Sequence, residues 1–489
     1  MKVSELLKAL KKYTIYGNKR NLDIEVTGLS SDSRSCRKGE VFICFQGQKV
    51  DSHEYAEEVI EKGVVAIVVE RKLEIDCLQI MVEDARLAMS LLATTFYGSP
   101  SERMKVIGIT GTNGKTTCSY MLASILKSAG KKTGIIGTLG IYYDKKEIAP
   151  ELTTPDPIYL QRILADMLER GIEYVVMEVS AHALYYKKLE GVRFCACIFT
   201  NFTQDHLDFF SSMQDYKEAK LQLFQPKKCP LAIVNADDEV SKEISRLREL
   251  DGNTCKTCFY ALKTPSDAFA VVVDEDLKET EFILNINDSL CSARLKMTGS
   301  HNVYNALAVA VCAYELGIPK ECIGKGLTTM QCVKGRLEWI ASYHGSDIFI
   351  DFAHTPDGLE KSLTSLRKYC AGRLICIFGC GGNRDKSKRP KMGEVASRNA
   401  DFIILTSDNP RYEEPFDIIK DIESGIDKER REYVTIPERE KAICYGLKLL
   451  KKGDVLLVAG KGGEDYQERM GIKYAYKDED LIINLMKKG

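Results

Sequence analysis

Gly111, Gly114, Lys115, Thr116 and Thr117 stand together within residues 104–138, MKVIGITGTNGKTTCSYMLASILKSAGKKTGIIGT. Their order is that of an anion cradle. Glycines let backbone N–H groups crowd toward a phosphate, and the positive end of a following helix favours negative charge. A lysine there reaches outer phosphates, and a threonine hydroxyl can ligate Mg²⁺. The strict pattern GxxxxGK[ST] fails, because Ile109 occupies the place of its first glycine; GxxGKT remains, with Thr112 and Asn113 between the glycines. A β-branched run, Val106 to Ile109, precedes the loop, and Met121, Leu122, Ile125 and Leu126 follow at helical spacing. Strand, loop and helix are therefore expected in that order.

Other chemistry-bearing side chains stand where apolar runs end. Glu173 to Val179 is a near-continuous apolar run around Glu178, followed by Ser180 and His182, and Phe194 to Thr203 leads to Asn201, Asp205, His206 and Asp208. Parallel sheets place ligands at such carboxyl ends. In MQDYKEAKLQLF, the stripe of Met213, Tyr216, Leu223 and Phe224 also takes in Lys220. A lysine there either snorkels to water or is a desolvated amine with a depressed pKa and a chemical task. Four further apolar runs end in Asp351, His354 and Asp357; in Gly379 to Arg384; in Asp408, Asn409 and Arg411; and in Lys461 and Glu464. Four such ends on one sheet edge imply a ligand.

The elements that must position these groups read as α/β throughout. Residues 1–102 are expected to form a small α/β domain, opened by a short amphipathic helix and closed by a Gly-Ser-Pro-Ser linker at 98–101. Residues 103–332 alternate strands and helices as a mostly parallel, P-loop-type sheet does, and 333–489 repeat that alternation as a Rossmann-like domain. At 489 residues, three domains with large cores are expected. A net charge of −1 provides no global field for nucleic acid or anionic membrane. No apolar run approaches the roughly 20 residues of a membrane span, and the first residues lack a signal-peptide core, so a cytoplasmic protein is expected. The 17 cysteines are scattered, with a single CxxC at Cys255 and Cys258, a pattern of buried thiols rather than zinc ligands.

Ordered along nearly the whole chain are TGTNGKTT (110–117), LTTPDP (152–157), MEVSAHAL (177–184), NFTQDHLDF (201–209), YKEAK (216–220), HNVYNALA (301–308), GRLE (335–338), DFAHTPD (351–357), GCGGNRDKSKRPKMG (379–393), SDNPR (407–411) and GKGGEDYQ (460–467). Together these resemble the Mur ligases, ATP-dependent amide-forming enzymes of peptidoglycan precursor synthesis, and among them those that add the third residue of the stem peptide. The resemblance implies that ATP phosphorylates the D-glutamate carboxylate of UDP-MurNAc-L-Ala-D-Glu and that an amine attacks the acyl phosphate. Lys115, Glu178, His206, Lys220 and Arg336 would be the catalytic set. Thr116, Glu178, His206 and a Lys220 carbamylated by CO₂ would hold Mg²⁺.

By the same resemblance, residues 111–117 would cradle ATP, Asn302 and Asn305 approach the adenine, Arg336 the γ-phosphate and Asp351 the ribose. Leu29 and Ser31 would face the uridine, while Thr153, Thr154, Ser180 and Lys188 would hold the muramoyl peptide. Arg384, Asp408, Asn409, Pro410, Arg411, Gly460 and Glu464 would form the amine pocket, with Glu464 pairing the distal ammonium of meso-diaminopimelate. A guanidinium fork grips the distal carboxylate that diaminopimelate has and lysine lacks. The chain departs from the family pattern at Tyr186, Lys188, His301 and Gly463. Partners are expected to be small molecules only, and the protein a monomer. Addition of L-lysine or another diamine, or phosphorylation by a P-loop kinase or ATPase without ligation, are the competing readings.

Overall fold

Three groups of parallel strands, each flanked by helices, carry the chain. The computed structural model describes residues 1–47, 50–249, 255–427, 429 and 431–487. Packing divides them into two units: residues 1–108, 132–196 and 227–230 form the first, and residues 109–131, 197–226 and 231–489 the second.

In the first unit a five-stranded sheet runs in the order Thr14–Tyr16, Gln79–Met81, Ala66–Val69, Glu40–Ile43 and Gly28–Ser30. The first pair is antiparallel and the others parallel. Helix Ala85–Phe96 buries Ala88, Met89 and Leu92 with Leu6, Val41 and Val68. Its cap is Asp84, which accepts from the Leu87 N–H at 2.8 Å. The opening helix is one turn, Val3–Leu6, with a 3₁₀ turn at Leu7–Ala9; Thr14, Ile15 and Tyr16, which suit a strand, become the antiparallel edge. In the segment 98–101, Pro100 and Ser101 are buried, and Ser101 Oγ accepts from the Arg193 N–H at 3.1 Å. Elsewhere in this unit Tyr174–Glu178 pairs in parallel with Thr133–Gly137, followed antiparallel by Gly140–Tyr143 and Lys146–Ile148.

In the second unit residues 197–199 pair in parallel with 232–234, and Leu231–Asn235 with Lys256–Ala261. Ala268–Glu275 also pairs in parallel with Lys256–Ala261, and the expected parallel character stops there. Ala268–Glu275, Thr280–Ile286 and Ser289–Leu295 form an antiparallel meander, joined by the short turns that antiparallel pairing permits. Helix Lys115–Ser128 packs against Ser300–Glu315 and Lys320–Thr329.

A six-stranded sheet completes this unit in the order Glu338–Tyr343, Ser346–Asp351, Val455–Ala459, Leu374–Phe378, Phe402–Leu405 and Glu432–Thr435. Only the first pair is antiparallel. Apolar clusters cover both faces, one around Phe349, Leu363 and Met392, the other around Ile350, Ile443 and Ile482. The chain crosses over between Ser346–Asp351 and Leu374–Phe378, which lie on either side of Val455–Ala459, the kind of switch point where α/β sheets open a crevice. A hairpin, Tyr466–Arg469 with Ile472–Ala475, stands beside it and bridges to Arg411. Among the described residues all 17 cysteines are free thiols, and no helix is long and apolar enough to cross a membrane.

Candidate active site

The strand Lys105–Thr110 delivers the loop 111–114 to the start of helix Lys115–Ser128. Gly114 caps that helix with φ 88° and no side-chain cap hydrogen bond, and the positive end of the helix dipole favours negative charge there. A side chain at 114 would be strained at that φ, and its Cβ would lie 2.4 Å from Asn305 Oδ1. Asn201 braces the loop by accepting from the Asn113 N–H at 2.9 Å, and Thr200 Oγ1 donates to the Asn113 carbonyl at 2.6 Å. Lys115 Nζ folds back onto the Gly111 and Thr112 carbonyls, both at 2.9 Å.

Lys220 arrives from helix Met213–Leu221 and is 2% exposed. Its Nζ donates to the Gly111 carbonyl at 2.8 Å and lies 4.6 Å from the centroid of Tyr216. Burial, with the charge of Lys115, pushes the amine well below the ordinary lysine range, although Asp205 opposes this. Of the two readings open for this lysine, the structure shows the desolvated one.

Arg336 Nη2 donates to Thr116 Oγ1 at 3.0 Å and the guanidinium stacks 4.3 Å from Phe352. Asp351 accepts from the Leu337 N–H at 2.6 Å, the Ala353 N–H at 2.9 Å and Ser362 Oγ at 2.9 Å. Its carboxylate thus first holds the turn from which Arg336 projects, and burial pushes it up. Asn302 and Asn305 are buried beside the loop; Asn302 Nδ2 donates to the Thr298 carbonyl and Asn305 Nδ2 to Asn302 Oδ1.

Asp205, one of the four polar residues read after the run 194–203 and given no role of its own there, is the hub of this region. Its buried carboxylate faces His206 Nε2 at 3.4 Å, His354 Nε2 at 3.5 Å and Lys388 Nζ at 3.4 Å. Burial alone would raise this carboxyl, but the His354 hydrogen bond and the Lys388 and His206 charges outweigh it and hold it well below the usual range. Asn113 Nδ2 to Asp357 Oδ2 at 2.8 Å, Gln204 Nε2 to Asp385 Oδ2 at 3.0 Å and Arg384 to Asp208 at 3.3 Å run alongside. The signal available from the sequence was the motif NFTQDHLDF, which does not tell which of its acids is buried.

At the carboxyl ends of the six-stranded sheet, Arg411 sits with φ 52°, its Nε on Glu468 Oε2 at 3.1 Å and its Nη1 on the Gly382 carbonyl at 2.9 Å. A Cβ added to Gly381 would lie 2.9 Å from Arg411 Nη1 and 3.5 Å from Arg384 Cγ, so the Arg411 guanidinium and the Arg384 stem flank this glycine. Asp408 is buried against Gly460, whose added Cβ would meet Asp408 Oδ2 at 2.4 Å. Glu464 differs from expectation. Its Oε2 already accepts from Asn409 Nδ2 at 2.9 Å and from the fully buried Lys461 Nζ at 3.0 Å, because Lys461 needs a counter-charge where it lies.

In the first unit, Glu178 is buried and accepts from the Thr138 N–H at 2.9 Å and Thr138 Oγ1 at 3.0 Å. Thr153 Oγ1 lies 3.1 Å from Thr138 Oγ1, Thr154 Oγ1 donates to the Glu178 carbonyl at 2.9 Å and meets Ser180 Oγ at 3.2 Å. Lys188 pairs with Asp156 at 2.6 Å. The Leu29 side chain belongs to the apolar core, which leaves its backbone and the half-buried Ser31 as the parts that can face a ligand.

Three family models match in chain order: Mur ligase family, catalytic domain, over residues 25–97; Mur ligase middle domain over 109–313; and Mur ligase, glutamate ligase domain, over 335–462. The UDP-N-acetylmuramoyl-L-alanyl-D-glutamate--2,6-diaminopimelate ligase of Clostridium botulinum is 39% identical over 496 residues, spanning the whole of both chains. The chain belongs to the Mur ligase family. The ligase of the same name from Syntrophomonas wolfei is 42% identical over 100% of this Mur ligase and 99% of its own length. A solved structure of a diaminopimelate ligase of that name has a TM-score of 0.72 at 27% identity, covering 100% of this chain and 99% of the other. MurF from Acinetobacter baumannii, at 22% identity and a TM-score of 0.69, shares the fold.

Proposed function

We propose that this Mur ligase joins meso-2,6-diaminopimelate to UDP-MurNAc-L-Ala-D-Glu in an ATP-dependent, cytoplasmic step of peptidoglycan precursor synthesis, acting as a monomer. The observation that carries the choice of amine is the shared position of Arg411 and Arg384 beside Gly381. Arg411 brings its guanidinium there and Arg384 its stem, the Arg384 guanidinium meeting Asp208 at 3.3 Å, and a guanidinium suits an amine that brings an extra carboxylate. The names of the full-length relatives support the same reading.

The donor set fits ATP and its metal. The positive end of the helix that begins at Lys115 favours phosphate, and Thr110 Oγ1 and Thr203 Oγ1, flanking the loop, are buried with no hydrogen-bond partner among the described residues. Thr116, His206 and Lys220 are the proposed Mg²⁺ donors of the second unit, and Glu178 is a proposed Mg²⁺ donor of the first. Bound there, Mg²⁺ offsets phosphate and carboxylate charge, and a carbamate on Lys220 adds the anionic oxygens that a metal needs.

The chain's own residues do the rest. Lys115 and Arg336 neutralise the γ-phosphoryl group as a D-glutamate carboxylate oxygen bonds to phosphorus and the bond to the ADP oxygen breaks. Asn302 and Asn305 line the adenine side, and Asp351 keeps Arg336 aimed while offering its remaining acceptor capacity to the ribose. Thr153, Thr154, Ser180 and Lys188 hold the muramoyl peptide, with Leu29 and Ser31 toward the uridine. Asp408, Asn409, Pro410, Arg411, Arg384, Gly460 and Glu464 present the amine, whose nitrogen bonds to the acyl carbon as phosphate leaves and a proton is lost. Phosphate release measured with UDP-MurNAc-L-Ala-D-Glu, with and without diaminopimelate, tests the ligation. Sustained release requires both. Sustained release without the amine would make the protein a kinase or ATPase instead.

A further inference from the structure

Arg86 lies between two aromatic rings. Its guanidinium carbon is 4.4 Å from the centroid of Phe45 and 4.4 Å from that of Tyr186, and its Nη2 donates to the Gln46 carbonyl at 3.0 Å. One cation therefore joins three segments distant in sequence: the residues after strand Glu40–Ile43, the helix Ala85–Phe96, and the turn that follows helix Ala181–Tyr185. Guanidinium groups held between ring faces keep their charge while losing little hydrogen bonding, which makes them stiff joints.

Further contacts secure the same turn. Lys187, in the left-handed region with φ 54°, pairs through Nζ with Asp84 Oδ2 at 2.5 Å, and its carbonyl accepts from Ser90 Oγ at 2.6 Å. Tyr185 packs edge-on against Tyr186 with centroids 5.2 Å apart. At the other end of the segment, Ser180 caps the helix by accepting from the Ala183 N–H and meets Thr154. Ser180 to Lys188 is thus anchored at both ends.

We propose that Arg86 and Tyr186 are positioning residues that lock the segment Ser180–Lys188 against the loop at Phe45 and Gln46, so that the UDP-linked peptide is gripped from one rigid surface. The proposal rests on the peptide-holding role given above to Thr154, Ser180 and Lys188. Neither side chain takes part in phosphoryl transfer or in amine selection, so their loss falls on one substrate.

The test is steady-state kinetics of the full chain and its Arg86→Ala, Arg86→Lys, Tyr186→Leu and Tyr186→Phe variants, with KM for each of the three substrates, kcat and Tm. Arg86→Ala and Tyr186→Leu should raise KM for UDP-MurNAc-L-Ala-D-Glu by about tenfold, the order expected for a lost cation–π joint, with kcat and the other two KM values within about twofold. Tyr186→Phe, which keeps the ring, should match the parent, and Arg86→Lys should fall between. An unchanged KM for the UDP-linked substrate in both disruptive variants overturns the proposal. So does a joint shift of kcat and all three KM values with a fallen Tm, the mark of a merely structural role. A parent chain that forms no tripeptide at all overturns the peptide-binding reading itself, and the clamp with it.

Discussion

Lys115 and Lys220 donate to one and the same atom, the carbonyl oxygen of Gly111, at 2.9 and 2.8 Å. Two ammonium groups so placed repel, and burial together with the Lys115 charge pushes the amine of Lys220 well below the ordinary lysine range. A neutral amine has the lone pair that CO₂ requires, and carbamate formation would turn an unfavourable pair of cations into a cation beside an anion.

Lys220→Ala should therefore lower turnover at least about 100-fold, the order seen when a positioned electrostatic group is removed, and high bicarbonate should not restore it. Protein equilibrated with ¹³C-bicarbonate should show a carbamate carbon resonance that Lys220→Met lacks. Unchanged turnover in the alanine variant would end the carbamate proposal.

Arg411 is held by Glu468 and the Gly382 carbonyl before any ligand arrives, so its guanidinium is already ordered. Arg411→Ala should raise KM for diaminopimelate by about 100-fold, corresponding to about 3 kcal/mol for a lost charge-assisted contact, and leave KM for ATP within about twofold. Equal losses for both substrates would mean that Arg411 supports the sheet edge rather than the amine.

Lys461, with no exposure, ties Asn409 to Glu464 from within. Lys461→Met removes the cation and leaves Glu464 without its counter-charge. The expected result is a lowered Tm together with a raised KM for diaminopimelate and an unaltered KM for ATP. A variant with parental amine kinetics would show that Glu464 orders itself.

His301 gives a prediction in pH. Burial, helped by the Lys361 charge, pushes its imidazole from 6.5 down to about 4. Between those values the unfolded chain binds a proton that the folded chain refuses, so this contribution to stability is complete above about pH 6.5 and is lost as pH falls toward 4, by at most about 1.4 kcal/mol per pH unit. His301→Phe should flatten the fall of Tm between pH 6.5 and 4.5. A parallel fall in both proteins would show that the imidazole is solvated.

The chemistry at strand ends was legible because type and position coincide there. The strand, loop and helix read around Gly111 to Thr117 are present in that order, and the apolar runs before Asp351, Gly379, Asp408 and Gly460 are the parallel strands expected. Lys220 was legible as an anomaly, a cation on a stripe with Tyr216 and Phe224, but only packing reveals that it is desolvated. What stayed hidden depends on contacts between distant segments. Asp205 looks like any acid in NFTQDHLDF until His354 and Lys388, some 150 and 180 residues away, are seen against it. Arg86 gives no sign of its two rings, nor Glu464 of the Lys461 cation that meets one of its oxygens. The meander of 268–295 and the strand Thr14–Tyr16 went unread because short antiparallel strands carry little periodic signal.

The central claim is tested most directly by offering the protein equimolar meso-diaminopimelate and L-lysine with ATP, Mg²⁺ and UDP-MurNAc-L-Ala-D-Glu, and weighing the products by mass spectrometry. The account predicts the diaminopimelate tripeptide in excess over the lysine tripeptide by about 100-fold or more, since only diaminopimelate offers a carboxylate to Arg411. Equal amounts of the two products, or an excess of the lysine tripeptide, would contradict it.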